Sequence, residues 1–416
     1  MKKNKVLIGI IALVAMISFS ACQSKSVKEE VERLDLSTAT WEEIENQANG
    51  KDVAMYMWGG SEVVNHYMDD YVLPEVKDKY NINLKRIPIT DISDTINQIL
   101  AEKEIQKENG SADILWINGE NFKNAKENKL LWGNIVDKLP NYENYFDKTA
   151  SSNTLDFGLE TEGYEAPWGQ AQFVFTYNTK YITNPPKSIE ELEAFVKENP
   201  GKFTYPAPPD FTGSAFVRTI IYETTGGYED YLIDLTREEF ESKIQPAWDY
   251  LKRIKPYLWR EGITYPESSG KLDQMYANEE VWMTLSYNPL HSAAMIKSGQ
   301  FPDTTKTFVL DSGSLTNTHF LSIPYNSNER EGALVVINFL MSPQAQIRKM
   351  DPNHWGDQMV LDPSKISDED HKIYENLDLG QSTLSLDVLK EHSIPEMKGR
   401  YIQYVENKWT DNIVKD

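Results

Sequence analysis

The sequence predicts an α/β protein built as two lobes. Three observations carry that expectation. Strand-like and helix-like segments alternate from Asp52 to Asn128, and again from Gln172 to Leu310, as in parallel sheets wrapped by helices. The chain has 416 residues, more than one hydrophobic core organises comfortably. Between the two blocks lies an irregular stretch, 130–165, rich in Asn, Tyr and Thr.

Each element follows from its pattern. Val53–Trp58 is a short apolar run and reads as a buried strand. Gly59-Gly60-Ser61 turns the chain, with Ser61 placed to cap the next helix. Glu62–Tyr80 carries apolar residues at helical spacing, and Ile82–Ile89 returns as a strand. Thr90 or Asp91 caps a helix running to about Glu108, and Asp113–Ile117 is the third strand. Asn118-Gly119-Glu120-Asn121 turns into a helix over Phe122–Asn128. In the second block, Gln172–Tyr177 is a strand, and Ser188 with Glu191 makes a capping box for Ile189–Asn199. Phe203–Tyr205 reads as a short strand, Gly213-Ser214 opens a helix over Ala215–Thr224, and Thr236 caps one long helix, Glu238–Lys255. Val281–Leu285, Lys306–Leu310 and His319–Ile323 read as strands. Pro289–Ser298, Arg330–Met341 and Pro343–Met350 read as helices, and the tail 365–416 as helical and polar.

The N-terminus has a separate purpose. A cationic start (Lys2, Lys3, Lys5) leads into the apolar run Val6–Ile17 and then Phe19-Ser20-Ala21-Cys22. This is the layout of a secretory leader, too short for a membrane span of roughly 20 residues. The last four residues resemble the bacterial lipobox, which makes Cys22 the acylated first residue of the mature protein. Residues 1–21 are thus expected to be removed and 22–50 to form a lipid-anchored tether, with a short helix near Trp41–Gln47. The expected location is outside the cytoplasm, held at the cell membrane by the lipid.

Composition narrows the partners. The formal charge is −22, from 42 basic and 64 acidic residues, with no basic cluster of the kind nucleic-acid binding needs. Cys22 is the only cysteine, so no intramolecular disulfide can form. There is no H-E-x-x-H, G-x-S-x-G or C-x-x-C motif, and the six histidines show no i,i+4 pair. Neither an enzyme, a metal site nor a cofactor is expected; a carboxylate pair of glycosidase type stays open among so many acids.

The positive signal lies in the turns that end strands, where open α/β sheets bind ligands. Those turns are rich in aromatic, glycine, hydroxyl and amide residues. The expected walls are Trp58, Trp168, Phe211 and Tyr287, with Trp355 as an outlying candidate. The expected polar contacts are Ser61, Asn118, Glu120, Gln170, Asp210, Ser214, Asn288 and Asn317. His319 and His354 read as structural or surface residues.

The segments 166–178 (APWGQAQFVFTYN) and 200–217 (PGKFTYPAPPDFTGSAFV), with Trp58-Gly59-Gly60 and Asn317-Thr318-His319, resemble the YnjB-like branch of bacterial extracellular solute-binding proteins. The resemblance covers roughly residues 52–400. It departs at Asn178, where relatives tend to carry Asp. It implies the two-lobed type II fold of periplasmic binding proteins, with hinge strands between the lobes. The lobes it implies are 52–167 plus part of 320–416, and 174–310, with hinges at 168–173 and 311–320. It also implies a small-molecule solute trapped by lobe closure and delivered to the permease and ATPase subunits of an ABC importer. The expected solute is a thiamine-like or amine cation. A sugar suits the same aromatic and amide groups, and a lipid-anchored hydrolase or a lipoprotein with a macromolecular partner remain alternatives.

Overall fold

The computed structural model describes residues 34–415. The leader and Cys22 lie outside the described residues. Eleven strands are found among the described residues: β1 (Asp52–Trp58), β2 (Asn83–Ile89), β3 (Ile114–Ile117), β4 (Leu155–Asp156), β5 (Leu159–Glu160), β6 (Glu165–Gln172), β7 (Val174–Asn178), β8 (Met283–Ser286), β9 (Thr305–Phe308), β10 (Ser314–Ser322) and β11 (Ser393–Pro395).

The larger sheet runs β11-β10-β3-β1-β2, with β6 also paired to β10. β1 is parallel to both β2 and β3. β10 enters antiparallel to β3 and β6. The core side chains of β1 are Val53, Met55 and Met57, all fully buried. A second sheet, β8-β7-β9, is antiparallel throughout. Its centre is the helix Phe211–Thr225, whose residues from Thr212 to Tyr222 are buried on every face. A helix covered on all sides lies inside a lobe, not on its surface, and its polar members Ser214 and Arg218 are partnered there.

The chain passes between the sheets at Phe173, the one residue separating β6 from β7, and again between β9 and β10. Phe173 N–H donates to Leu315 C=O at 2.8 Å and ties the two crossings together. A third crossing, not foreseen in the sequence, follows β11. The helix Ile402–Trp409 leaves the larger sheet and joins the second lobe, where Trp409 Nε1 donates to the Tyr205 hydroxyl at 3.0 Å and Tyr401 stacks on Phe240 at 4.3 Å.

Several expectations are corrected. The helix Trp41–Ala48 is part of the body, not of a tether: Ile44 and Ala48 are buried and the helix packs on Arg330–Leu340. Phe203–Tyr205 is buried but forms no strand, because Phe203 C=O serves Trp259 N–H in a loop. The single helix 238–255 is two, Arg237–Lys243 and Gln245–Ile254, since Pro246 has no N–H to continue the first. The helix opened by Gly213-Ser214 starts earlier, at Phe211, with Asp210 as its cap. The strand Gln172–Tyr177 is interrupted at the crossing, and 130–165 contains short helices and the β4–β5 hairpin. The polar tail buries Ile402, Val405, Trp409 and Ile413.

Candidate functional site

The strand-end turns of both lobes face one cleft of about 1450 Å³. Small-molecule sites typically measure about 300–1,000 Å³, so this cleft has space for one small molecule and water.

From the larger sheet come the turns after β1, β2 and β3. Trp58 ends β1 and is 40% exposed. Its indole folds over Gly60, where a Cβ would sit 2.4 Å from the ring, so a larger residue there would push the indole aside. Asp91 caps the helix Ile92–Glu104 through Ser93 N–H. Asn118 precedes Gly119, whose N–H donates to the buried Asp156 carboxyl at 2.5 Å. That bond fixes the turn presenting Glu120.

From the second lobe come Phe211, Tyr287 and Asn288. Phe211 is also 40% exposed. Among the described residues, no other Trp or Phe is exposed. Two bare aromatic faces on opposite lobes, both lining the cleft, are surfaces that wait for a flat or apolar partner. Trp58→Ala is therefore expected to weaken solute binding about tenfold, the scale of one cation–π or stacking contact. Its melting temperature should stay near that of the parent, since the ring is half-solvated. Isothermal titration beside a thermal melt checks both; unchanged affinity removes Trp58 from the site.

Behind the Phe211 wall lies a buried ionic knot. Arg218 is fully buried and donates from Nε and Nη2 to the two Glu396 oxygens, each at 2.8 Å. Its Nη1 donates to Ser214 Oγ at 2.7 Å. The Tyr287 hydroxyl donates to Glu396 at 2.5 Å. Glu406, from the C-terminal helix, borders the cleft beside this knot. Burial is the main force on its carboxyl; Ser214 and Arg218 lower the pKa, Glu120 and Asp91 raise it, and the balance is a value pushed up to about 7. Burial likewise raises Glu120, with Arg218 and Lys123 opposing and Asp91 adding to the rise. Among the described residues, Asp91, Glu120 and Glu406 form no ion pair.

The floor is aromatic. Trp116, His319 and Trp355 all border the cleft. His319 packs on Trp116 at 5.1 Å and lies within 14° of parallel to Trp355. Its Nε2 is held 3.0 Å from Asp357, which also receives Lys349 Nζ at 2.5 Å. Burial alone would raise the Asp357 carboxyl; His319 and Lys349 outweigh it and hold it below the usual range. On the far wall, Asp273 accepts from Thr284 at 2.7 Å and sits 2.8 Å from His291 Nε2.

The cleft thus gathers Trp58, Ser61, Asn118, Glu120, Asp210, Phe211, Tyr287, Asn288, Asn317 and the outlier Trp355. Three expected contacts do not border it. Trp168 is fully buried behind the floor, edge-on to Trp116 at 4.9 Å and to Trp355 at 5.1 Å. Gln170 is spent in strand pairing with Thr318 and Gln358. Ser214 lies inside the helix and serves Arg218. Asp210 caps two helices at once, accepting from Gly213 and Ser269 N–H groups at 2.9 Å each; its role is to aim both helix ends at the cleft. His319, read as structural, is both paired and cleft-lining. Sequence reasoning missed Trp116, Asp91 as a lining acid, Arg218–Glu396 and Glu406. The strand-end rule could have found Asp91; nothing local marks Glu406. Among the described residues, no group of three or more His, Cys, Asp or Glu is placed to hold a metal ion.

Comparison with known proteins fixes what this architecture is. Residues 73–353 match the family described as bacterial extracellular solute-binding protein. The chain belongs to this family. It is also 40% identical to protein YnjB of Escherichia coli (strain K12) over 332 residues, 79% of this chain and 84% of that one. Among solved structures, a putative spermidine/putrescine ABC transporter protein from Listeria monocytogenes superposes with a TM-score of 0.61 at 15% identity, covering 88% of this chain and 99% of that chain. The periplasmic binding protein AfuA from Actinobacillus pleuropneumoniae, with fructose-6-phosphate bound, gives 0.61 at 16%, covering 87% and 98%. The fold is that of two-lobed type II periplasmic binding proteins. The chain is therefore an extracellular solute-binding protein. At such identities the two solved structures speak for the fold alone; one is named for polyamines and the other holds a sugar phosphate.

Proposed function

We propose that this solute-binding protein captures a small organic cation with a flat or apolar portion and, anchored through lipid on Cys22, hands it to an ABC importer. The observation that carries the reading is the trio Asp91, Glu120 and Glu406. Three acids from three separate elements border one cleft, and no Lys or Arg pairs with them among the described residues. The nearby guanidinium of Arg218 is fully engaged by Glu396 and Ser214. Glu120 and Glu406 are half-buried, where a carboxylate without a counter-charge is costly; Asp91 is exposed and adds negative charge to the same cleft, and a cationic guest supplies the counter-charge. Trp58 and Phe211 add faces that attract cations. The lobes 52–167 with part of 320–416, and 174–310, would close about hinges near 168–173 and 311–320.

The test is isothermal titration of the leaderless protein with thiamine, putrescine and spermidine on one side and neutral saccharides on the other. Saturable heat with a cation and none with saccharides is the expected result. Saturation with saccharides alone would move the solute to the sugar class. For the anchor, radiolabelled palmitate should enter the full chain and not a Cys22→Ser variant.

A further inference from the structure

One polar side chain at the floor of the cleft has no partner at all. Asn317 lies on β10, is 9% exposed and borders the cleft. Neither its Oδ1 nor its Nδ2 has a hydrogen-bond partner. The strand pattern accounts for the backbone, since Asn317 pairs with Ala171 of β6. It does not account for the side chain. Asparagine is disfavoured in strands, and a buried carboxamide with both ends unmet is a liability that valine at the same position would not carry. Trp168 Nε1 is likewise unpartnered, but Trp168 is fully covered and does not border the cleft.

Position says what would meet the carboxamide. Residues two apart on a strand share a face, so Asn317 stands beside His319, whose ring lies nearly parallel to Trp355 and against Trp116. A polar fork thus sits beside an aromatic cluster, in which Trp116 is tilted by 50° to His319 and by 58° to Trp355. A carboxamide offers one donor and one acceptor side by side, the pattern that pairs bidentately with an amino group next to a ring nitrogen, or with another amide.

We infer that Asn317 is the anchor for the edge of a planar guest, and that the solute class is a flat organic cation bearing an adjacent donor and acceptor, of the amide or amino-heterocycle kind. This rests on the cation-binding reading of the cleft. The carboxylate trio meets the charge, the aromatic faces meet the plane, and Asn317 selects the edge. Asn317 is covered in this conformation, so a guest reaches it when the lobes part.

Two cations of equal charge and ring size separate the terms: 1-methylnicotinamide, which carries a carboxamide edge, and 1-methylpyridinium, which carries none. The parent protein should bind the first about tenfold more tightly by titration calorimetry. Asn317→Val should abolish that preference, and its empty form should melt no lower than the parent. Equal binding of both cations by the parent overturns the inference while leaving the cation reading intact; binding of neither, together with no response to thiamine, sinks the cation reading itself. If Asn317→Val melts lower and keeps the preference, the amide serves an internal water and the inference is wrong. Should the valine variant not fold, Asn317→Ser, smaller and still polar, is held to the same loss of preference.

Discussion

Arg218→Met is expected to destabilise the protein by about 3–5 kcal/mol, the range for removing one partner of a buried ion pair. The argument begins with burial. Arg218 is 0% and Glu396 3% exposed, so each charge has surrendered its water and depends on the other. Methionine fills much of the space left by the arginine stem but leaves Glu396 with only the Tyr287 hydroxyl. The pair also joins parts distant in sequence. Glu396 directly follows β11, which belongs to the larger sheet, whereas Arg218 is on the central helix of the second lobe. It therefore fastens the third crossing. Its loss should reach the cleft as well, because the guanidinium lies 5.6 Å from the Phe211 ring and 5.9 Å from Phe157. Urea denaturation measures the effect. A double variant, Arg218→Met with Glu396→Leu, should recover most of the loss, since an apolar pair leaves no stranded charge. A single variant within 1 kcal/mol of the parent, on the scale of an exposed pair, would show that water reaches the knot.

That knot was also the least legible part of the chain. The strands β1, β2 and β3 could be read because each is a short apolar run bounded by turn residues, with helical periodicity between them. Their strand-end turns line the cleft as the topology requires. Trp168 misled for a physical reason. β6 is buried along nearly its whole length, so its sequence APWGQAQ shows no alternation that would tell a cleft-facing side chain from a core-facing one. Gly169 marks the difference only in three dimensions: a Cβ there would lie 2.0 Å from His319 Nε2 and 2.2 Å from Asp357. Ser214 misled because a hydroxyl near a helix start reads as a cap, whereas Asp210 takes that role and Ser214 faces inward to Arg218. Glu406 had no local signal. Its helix is polar on one side and apolar on the other, as surface helices are, and only the third crossing carries it to a cleft built by distant segments.

Glu406 sets the second large effect, a dependence of both stability and affinity on pH. Its carboxyl is pushed from 4.5 to about 7, chiefly by burial, and Glu120 moves in the same direction for the same reason. The unfolded chain releases these protons near the ordinary value, whereas the empty folded protein keeps them. The folded state thus holds more protons between the two values, so this contribution to stability is complete below about pH 4.5 and is lost as pH rises through about 7. A bound cation reverses the preference, because it interacts with the ionised carboxylates. Binding should release protons, and affinity for an organic cation should rise about tenfold from pH 6 to pH 8 for one linked proton. Glu406→Gln should flatten that slope and weaken binding about tenfold to a hundredfold, the scale of a lost charge-assisted contact. Glu223 supplies an internal control. It too is pushed to about 7 by burial, but it does not border the cleft. It adds to the pH dependence of melting in empty and loaded protein alike, so the difference between the two melts isolates the cleft acids. Calorimetry in buffers of differing ionisation enthalpy counts the protons directly. A cation that binds with no proton release between pH 6 and 8, and with equal affinity to the parent and to Glu406→Gln, would place the charge-recognising acids elsewhere in the cleft.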